Sequence, residues 1–271
     1  MAGNILIFDI ETAPDVAFGR QLMGIDDSVS DESVAEALFA KRRAAVGHDF
    51  LPLHCHQVVS ISAVLVQGCG LADSNNDVSK VAVWSLGTED DDEATIIQQF
   101  YNLIERKSPQ LVSWNGGGFD LPVLHYRGMK CGVVAQDYWD QGEYERDKKF
   151  NSYLGRYHSR HLDLMDLLAL YQPRANVRLD EMALLLGFPG KMGMSGDKVW
   201  QSVQAGELAE VRAYCETDVL NTYLVYLTFE RSRGHLDEVG YQNECARVRD
   251  SLKASGQPHL LEFEAAWHDV P

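Results

Sequence analysis

Residues 4–12 read NILIFDIET. An apolar run, Ile5 to Phe8, leads directly into two acids spaced two apart, Asp9 and Glu11. A short apolar run that ends in polar residues reads as a buried strand. Side chains of an extended chain alternate between faces, so Asp9 and Glu11 leave the sheet on the same side. Two carboxylates that close repel each other unless a cation lies between them. Oxygen-only ligands suit hard divalent ions, chiefly Mg²⁺ or Mn²⁺. In isolation the pair equally fits a strand end facing solvent, so its meaning depends on whether acids elsewhere in the chain answer it.

Working outward, QVVSISAVLV at 57–66 and KVAVWSL at 80–86 are rich in β-branched residues and flank a polar turn, which predicts an antiparallel meander. QLVSW at 110–114 predicts a fourth strand, preceded by a helix in which Ile96, Ile97, Phe100, Tyr101 and Ile104 recur at helical spacing. RHLDL at 160–164 predicts a fifth. Residues 15–56 form an insertion after the first strand, and SVAEALFAKRRAAV within it is helical by propensity and pattern. The acidic run EDDDE at 89–93 suits the positive end of the helix over 94–107. Beyond residue 164 the chain turns helical: MDLLALY, LDEMALLLGF stopped by Pro189, a long segment from Glu207 to Arg231, and a polar helix over 236–254. The expected fold is α/β, a five-stranded mixed sheet flanked by helices. The expected division is a domain over 1–235 with a C-terminal helix and tail at 236–271 packed on or flanking it.

The chain has 271 residues, 45% hydrophobic, which is enough to close a substantial core. Its 24 Lys and Arg against 40 Asp and Glu give a formal charge of −16, which excludes blanket electrostatic attraction to nucleic acid. Cys55, Cys69, Cys131, Cys215 and Cys245 are scattered without a CxxC pair, which argues against a disulfide framework or a zinc ribbon. His54, Cys55 and His56 are adjacent, and on an extended chain such neighbours point apart rather than toward one ion. No stretch approaches the roughly 20 apolar residues of a membrane span, and the opening residues lack the basic region of a signal peptide. A soluble protein of the cytoplasm, without a membrane association, is the expectation.

Other acids do answer the first pair. Tyr214 and Asp218 in YCETD (214–218) lie four apart in a predicted helix and so share one face. Asp120, in NGGGFDLPVL (115–124), follows the fourth strand at the start of a helix, where strand ends commonly collect functional groups.

Taken in order, FDIET (8–12), WNGGGFDLPVL (114–124) and YCETD (214–218) resemble the DEDDy group of 3′-to-5′ exonucleases, which have an RNase H-like fold. Within that group the chain is similar to the proofreading exonuclease domain of family B DNA polymerases. HLDLMDLL (161–168) and LLGFPGKMGMSGDKVW (185–200) extend the likeness, over nearly the whole chain, to stand-alone bacterial enzymes of this type. The sister group that carries histidine is disfavoured, because that histidine would fall at Ala213. No polymerase motif follows residue 218, so a free-standing nuclease is expected.

The resemblance implies that Asp9 bridges two Mg²⁺ ions, for which Mn²⁺ substitutes. Glu11 and Asp218 would complete the first site, Asp120 would hold the second through water, and Tyr214 would orient the attacking water. The implied reaction releases 5′-mononucleotides from single-stranded 3′ ends, DNA being favoured and RNA left open. Thr12, Asn115 and Phe119 stand where the group contacts the last nucleotides, and Lys191 and Lys198 are candidates for phosphate contact. Gly116, Gly117 and Gly118 suit either a close approach to a strand or a flexible connection. RDKKFNSYLGRYHSR (146–160) carries five basic residues against one acid, interleaved with Phe150, Tyr153 and Tyr157. That pattern predicts a local surface for single strands.

Two rivals remain at this point. ILIFDIET also resembles the DxDxT of haloacid dehalogenase-like phosphatases with Asp9 as nucleophile, although Glu11 stands where that group has aspartate. The other is an RNase H-like nucleic-acid-binding protein without activity.

Overall fold

The computed structural model describes residues 3–69 and 81–268. Strands β1 (Gly3–Pro14), β2 (His56–Cys69), β3 (Val81–Ser85), β4 (Gln110–Ser113) and β5 (His161–Asp163) form one sheet in the order β3-β2-β1-β4-β5. β1 pairs antiparallel with β2 and parallel with β4, while β2 pairs antiparallel with β3 and β4 parallel with β5. The expected five-stranded mixed sheet is therefore present, with its first strand at the centre. The turn expected between β2 and β3 lies outside the described residues.

Helices α1 (Val16–Met23) and α2 (Asp31–Val46) follow β1. They are followed by α3 (Glu93–Lys107), α4 (Asp120–Cys131) and the short α5 (Gln136–Trp139). The helical half contains α6 (Leu164–Leu168), α7 (Leu179–Leu185), α8 (Val199–Ala205) and α9 (Leu208–Ser232), then α10 (Glu238–Ser255) and α11 (Pro258–Ala266). Local signals set several boundaries. The Ser30 and Asp92 side chains accept hydrogen bonds from Ser33 N and Thr95 N to cap α2 and α3, and Gly47 closes α2 in the left-handed conformation.

The period of β1 divides the core in two. Ile5 and Ile7 face one layer, where they pack with Val64, Val66 and Val112 against Val219, Leu220, Tyr223 and Leu224 of α9. Leu6, Phe8 and Ile10 face the other, against Ile97, Phe100 and Ile104 of α3 and Leu121 and Leu124 of α4. Tyr241, Val248 and Leu252 of α10 and Leu260 and Phe263 of α11 are buried in the α9 layer. The odd-numbered face of β1 thus continues past Ile7 to Asp9 and Glu11, on the side where α9 crosses.

A buried ion-pair network fixes α4 to its neighbours. Arg127, 3% exposed, donates to both Asp15, at the end of β1, and Glu93, at the start of α3, and Lys130 also reaches Asp15. Removing Arg127 would strip Glu93 of its cation and leave Asp15 with Lys130 alone, and breaking a buried ion pair costs about 3–5 kcal/mol. Arg127→Met should therefore lower the unfolding free energy measured in urea by an amount of that order, with a matching fall in the midpoint. An unchanged midpoint would show that the network contributes nothing to stability.

Candidate active site

Three separate elements supply the acids. Asp9 and Glu11 end the odd face of β1, Asp120 is the first residue of α4, and Asp218 lies in the first half of α9 one turn beyond Tyr214. Ile10 N donates to Asp120 Oδ1 at 3.2 Å, so the carboxylate at the start of α4 is fastened to the backbone between the two β1 acids. α9 brings the last pair over the same strand end, because Val211, Cys215 and Val219 form a fully buried stripe along it. The site is closed by residues more than 200 positions apart.

The electrostatics record how close the four carboxylates lie. Burial, then repulsion from Asp120, Glu11 and Asp218, holds the Asp9 carboxyl well above the ordinary range. Glu11 is likewise raised, by burial first and then by Asp218 and Asp120, with Lys191 opposing. Burial pushes Asp120 up to about 7, aided by Asp163 and opposed by the Ile10 N–H. Asp218 is pushed up to about 6 by burial, against the opposing Tyr214 hydroxyl and Lys191 ammonium. Burial raises the Tyr214 phenol as well, so it stays protonated at neutral pH.

This donor set fits divalent cations. Ligand atoms of Asp9, Glu11 and Cys215 lie within 4.8 Å of one another, and Asp120 and Asp218 act on the same carboxylates. Four carboxylates beside one ammonium leave an excess of negative charge that hard cations would relieve. Cys215, fully buried, directs its Sγ at the Asp9 backbone oxygen (3.5 Å) and at Asp9 Oδ2 (3.7 Å), so it steadies the central acid from behind.

The surroundings sort the remaining candidates. Lys191 Nζ lies 5.6 Å from the centre of the Tyr214 ring and lines a hollow of ≈ 350 Å³ together with Asp218 and Asn115. Lys198 is exposed on the Gly196–Lys198 turn beside Asp197, and the structure does not bring it to the acids. Thr12 Oγ1 lies 2.8 Å from His56 Nδ1, and His56 Nε2 lies 3.2 Å from Leu51 O. A carbonyl can only accept, so Nε2 carries the proton and Thr12 donates to Nδ1. Phe119 meets the same imidazole edge-on at 5.3 Å and Phe50 at 5.6 Å, which places Thr12 and Phe119 in one aromatic corner beside Glu11. His56 was expected to matter, if at all, as a metal ligand; it organises this corner instead.

Asp163 is a residue the sequence reasoning missed. Its carboxylate accepts from Asn115 N (3.0 Å), Gly117 N (2.9 Å) and Asp166 N (3.2 Å), and so folds the glycine turn onto the end of β5. The turn needs its glycines for close packing rather than freedom. A Cβ at Gly116 would lie 2.2 Å from Ser113 Oγ, and one at Gly118 would lie 2.4 Å from Asn115 Oδ1. Asn115 itself takes φ 65, a left-handed conformation that asparagine tolerates.

In the basic segment 146–160 three of the five cations are engaged within the protein, while Arg146 and Lys149 are exposed. Lys148 is 2% exposed and paired with Asp137, Asp140 and Glu145, Arg156 is paired with Asp166, and Arg160 stacks on the buried Tyr153. The carboxylates that pair with Lys148 and Arg156 lie outside the segment.

A family described as predicted 3′-5′ exonuclease related to the exonuclease domain of PolB matches residues 48–267. The chain belongs to this family. The α/β layering with a five-stranded mixed sheet is the architecture expected from the sequence. No curated protein matches the chain. Among solved structures, the family B DNA polymerase from the hyperthermophilic archaeon Pyrobaculum calidifontis is similar over 93% of this chain, at 19% identity and a TM-score of 0.48. The chain spans 29% of that polymerase. Among the described residues, no helix is long and apolar enough to cross a membrane.

The raised carboxyls set a pH dependence. Between the unfolded value near 4 and the folded values of about 6 and 7, the native state holds protons that the unfolded state has released. Metal-free stability therefore falls as pH rises through that window. Asp120→Asn keeps the oxygen that accepts from Ile10 while removing one charge. In EDTA it should melt above wild type at pH 8, by about 2–4 °C for each kcal/mol relieved, and the gap should close toward pH 4. Parallel melting curves across that range would contradict the repulsion.

Proposed function

We propose that this cleft hydrolyses phosphodiester bonds at single-stranded 3′ ends of DNA, with RNA a further substrate, and releases 5′-mononucleotides one at a time. The observation that carries the reading is the convergence of Asp9, Glu11, Asp120 and Asp218, with Tyr214, at one strand end in a member of the PolB-related exonuclease family. The relation to a DNA polymerase exonuclease supports DNA as the main substrate.

Asp9, Glu11 and Asp218 would hold one Mg²⁺, with Asp9 shared and Asp120 toward a second, and Mn²⁺ would substitute. The bound ions supply Lewis acidity that acidifies the attacking water and offsets charge on the leaving 3′ oxygen. The protein's own groups then have defined tasks. Tyr214, a neutral phenol beside Asp218, orients the attacking water. Lys191 places an ammonium next to Tyr214 and Asp218, where it can face the non-bridging oxygens of the scissile phosphate. Thr12 and Phe119, braced by His56, hold the terminal nucleotide, and Asn115 contacts the one before it.

With a 5′-labelled single strand, wild type in Mg²⁺ or Mn²⁺ should give a ladder shortening from the 3′ end, and EDTA should abolish it. Asp9→Ala, Asp120→Ala and Asp218→Ala should each remove the ladder without loss of fold. Wild-type turnover in any of the three would overturn the assignment of that residue. Mn²⁺ should raise the melting temperature of wild type and not of Asp9→Ala; equal shifts would move the metal elsewhere. Tyr214→Phe should slow turnover on the order of 10²-fold while leaving the Mn²⁺ shift nearly intact. If the Mn²⁺ shift vanished instead, Tyr214 would belong to the scaffold of the site.

A further inference from the structure

Beside the acids lies a second, larger groove of ≈ 690 Å³, a size typical of ligand sites. It is continuous with the hollow that Asp218 and Lys191 line, because Asn115, Met165 and Asn176 border both. The far end is walled by Tyr157 and Tyr171, whose rings meet edge-on at 5.0 Å, with the Arg156 guanidinium 5.1 Å from the Tyr171 ring.

The chemistry of this wall is specific. Arg156 donates two hydrogen bonds to Asp166, at 2.8 and 2.7 Å, so its charge is already matched. Asp163 adds an anion, and burial pushes the imidazoles of His125 and His161 down to about 4, so neither carries charge at neutral pH. The groove therefore offers a phosphate no free cation among these residues. It offers flat aromatic surface instead. Tyr157 is 75% exposed although it is a large aromatic side chain. Tyr171 is presented by two successive non-glycine residues in the left-handed conformation, Leu170 at φ 51 and Tyr171 at φ 60, which L side chains rarely adopt. Tyr171 N donates to Asp166 O at 2.8 Å, which ties this unusual turn to the residue that also anchors Arg156.

We propose that this groove binds the unpaired bases upstream of the scissile bond, stacked on Tyr157 and Tyr171, with the phosphates turned out to solvent. The assignment rests on the exonuclease reading, which puts the 3′ end at the acids. Stacking of this kind is sequence-tolerant, since every base has a π-face. It also differs from a phosphate channel in one measurable way: losing an aromatic wall weakens binding without changing the number of counterions released.

The test is fluorescence anisotropy with 5′-labelled oligothymidylates of 3 and 12 nucleotides, in EDTA to block turnover, using the full chain over a range of salt concentrations. Tyr157→Ala should weaken the 12-mer at least about fivefold, leave the 3-mer unchanged and leave the slope of log affinity against log salt unchanged. Tyr157→Trp should restore the 12-mer, which separates stacking from any disturbance of the fold. Equal 12-mer affinity in wild type and Tyr157→Ala would overturn the proposal, and so would an equal loss on both lengths or a shallower salt slope. Those results leave the exonuclease reading standing if the wild-type ladder is present. Wild-type protein that neither binds nor shortens either oligonucleotide would overturn that reading and this one with it.

Discussion

Four carboxylates forced together in a poorly solvated cleft are the constraint on which this structure turns. Burial raises all four carboxyls, and repulsion from the other site acids adds to it at Asp9 and Glu11. Such a cluster persists only where the surrounding fold over-determines it. The over-determination is visible on both sides of the sheet. Apolar layers clamp β1 between α9 and the α3–α4 pair, and the Ile10 N–H and Cys215 Sγ each hold an acid in place. Arg127 performs the opposite task on the far side of α4, where it neutralises the two carboxylates that would otherwise add to the repulsion. The protein thus separates acids that are matched internally from acids left to be matched by something bound.

Much of this was legible in the sequence because the signals were local. The run before Asp9 fixes a strand, its period fixes the face, and the spacing of Tyr214 and Asp218 fixes a helix side, so each motif carried its own geometry. The order of the strands carried no such signal, since it depends on which long-range pairings close. Charge counted without partners misled. Lys148 and Arg156 read as free cations in the segment 146–160, yet their carboxylates sit at 137, 140 and 166, outside any window that would include them. The roles of His56 and Asp163 were invisible for a related reason. Each acts through hydrogen bonds between elements, His56 across the β1–β2 pair to Thr12 and Asp163 from β5 to the turn after β4.

The formal charge of −16 becomes intelligible once the cations are located. A protein that held single strands by phosphate neutralisation would need a basic stripe, and several cations that sequence suggested for it are engaged internally. Lys191 remains beside the acids, where the proposed reaction would use its charge. Away from that point the groove presents tyrosine rings, the Arg156–Asp166 pair and the neutral imidazoles of His125 and His161. Under the proposed function, the net negative charge would disfavour non-specific adhesion to duplex nucleic acid and leave recognition to features that only an unpaired strand can offer.

The pairing of β1 with β2 changes register between Glu11 and Thr12, immediately after the second acid. Upstream of that bulge, adding or deleting a single residue between Ile5 and Glu11 would turn both carboxylates into the opposite layer and bring apolar side chains to the cleft. Downstream, the frame has already been reset. Over evolutionary time, insertions and deletions should accordingly be purged from residues 5–11 while accumulating freely in the α1–α2 excursion that follows. A strand that tolerates sequence change but not length change, bordered by a segment that tolerates both, is the record such a bulge would leave in a lineage.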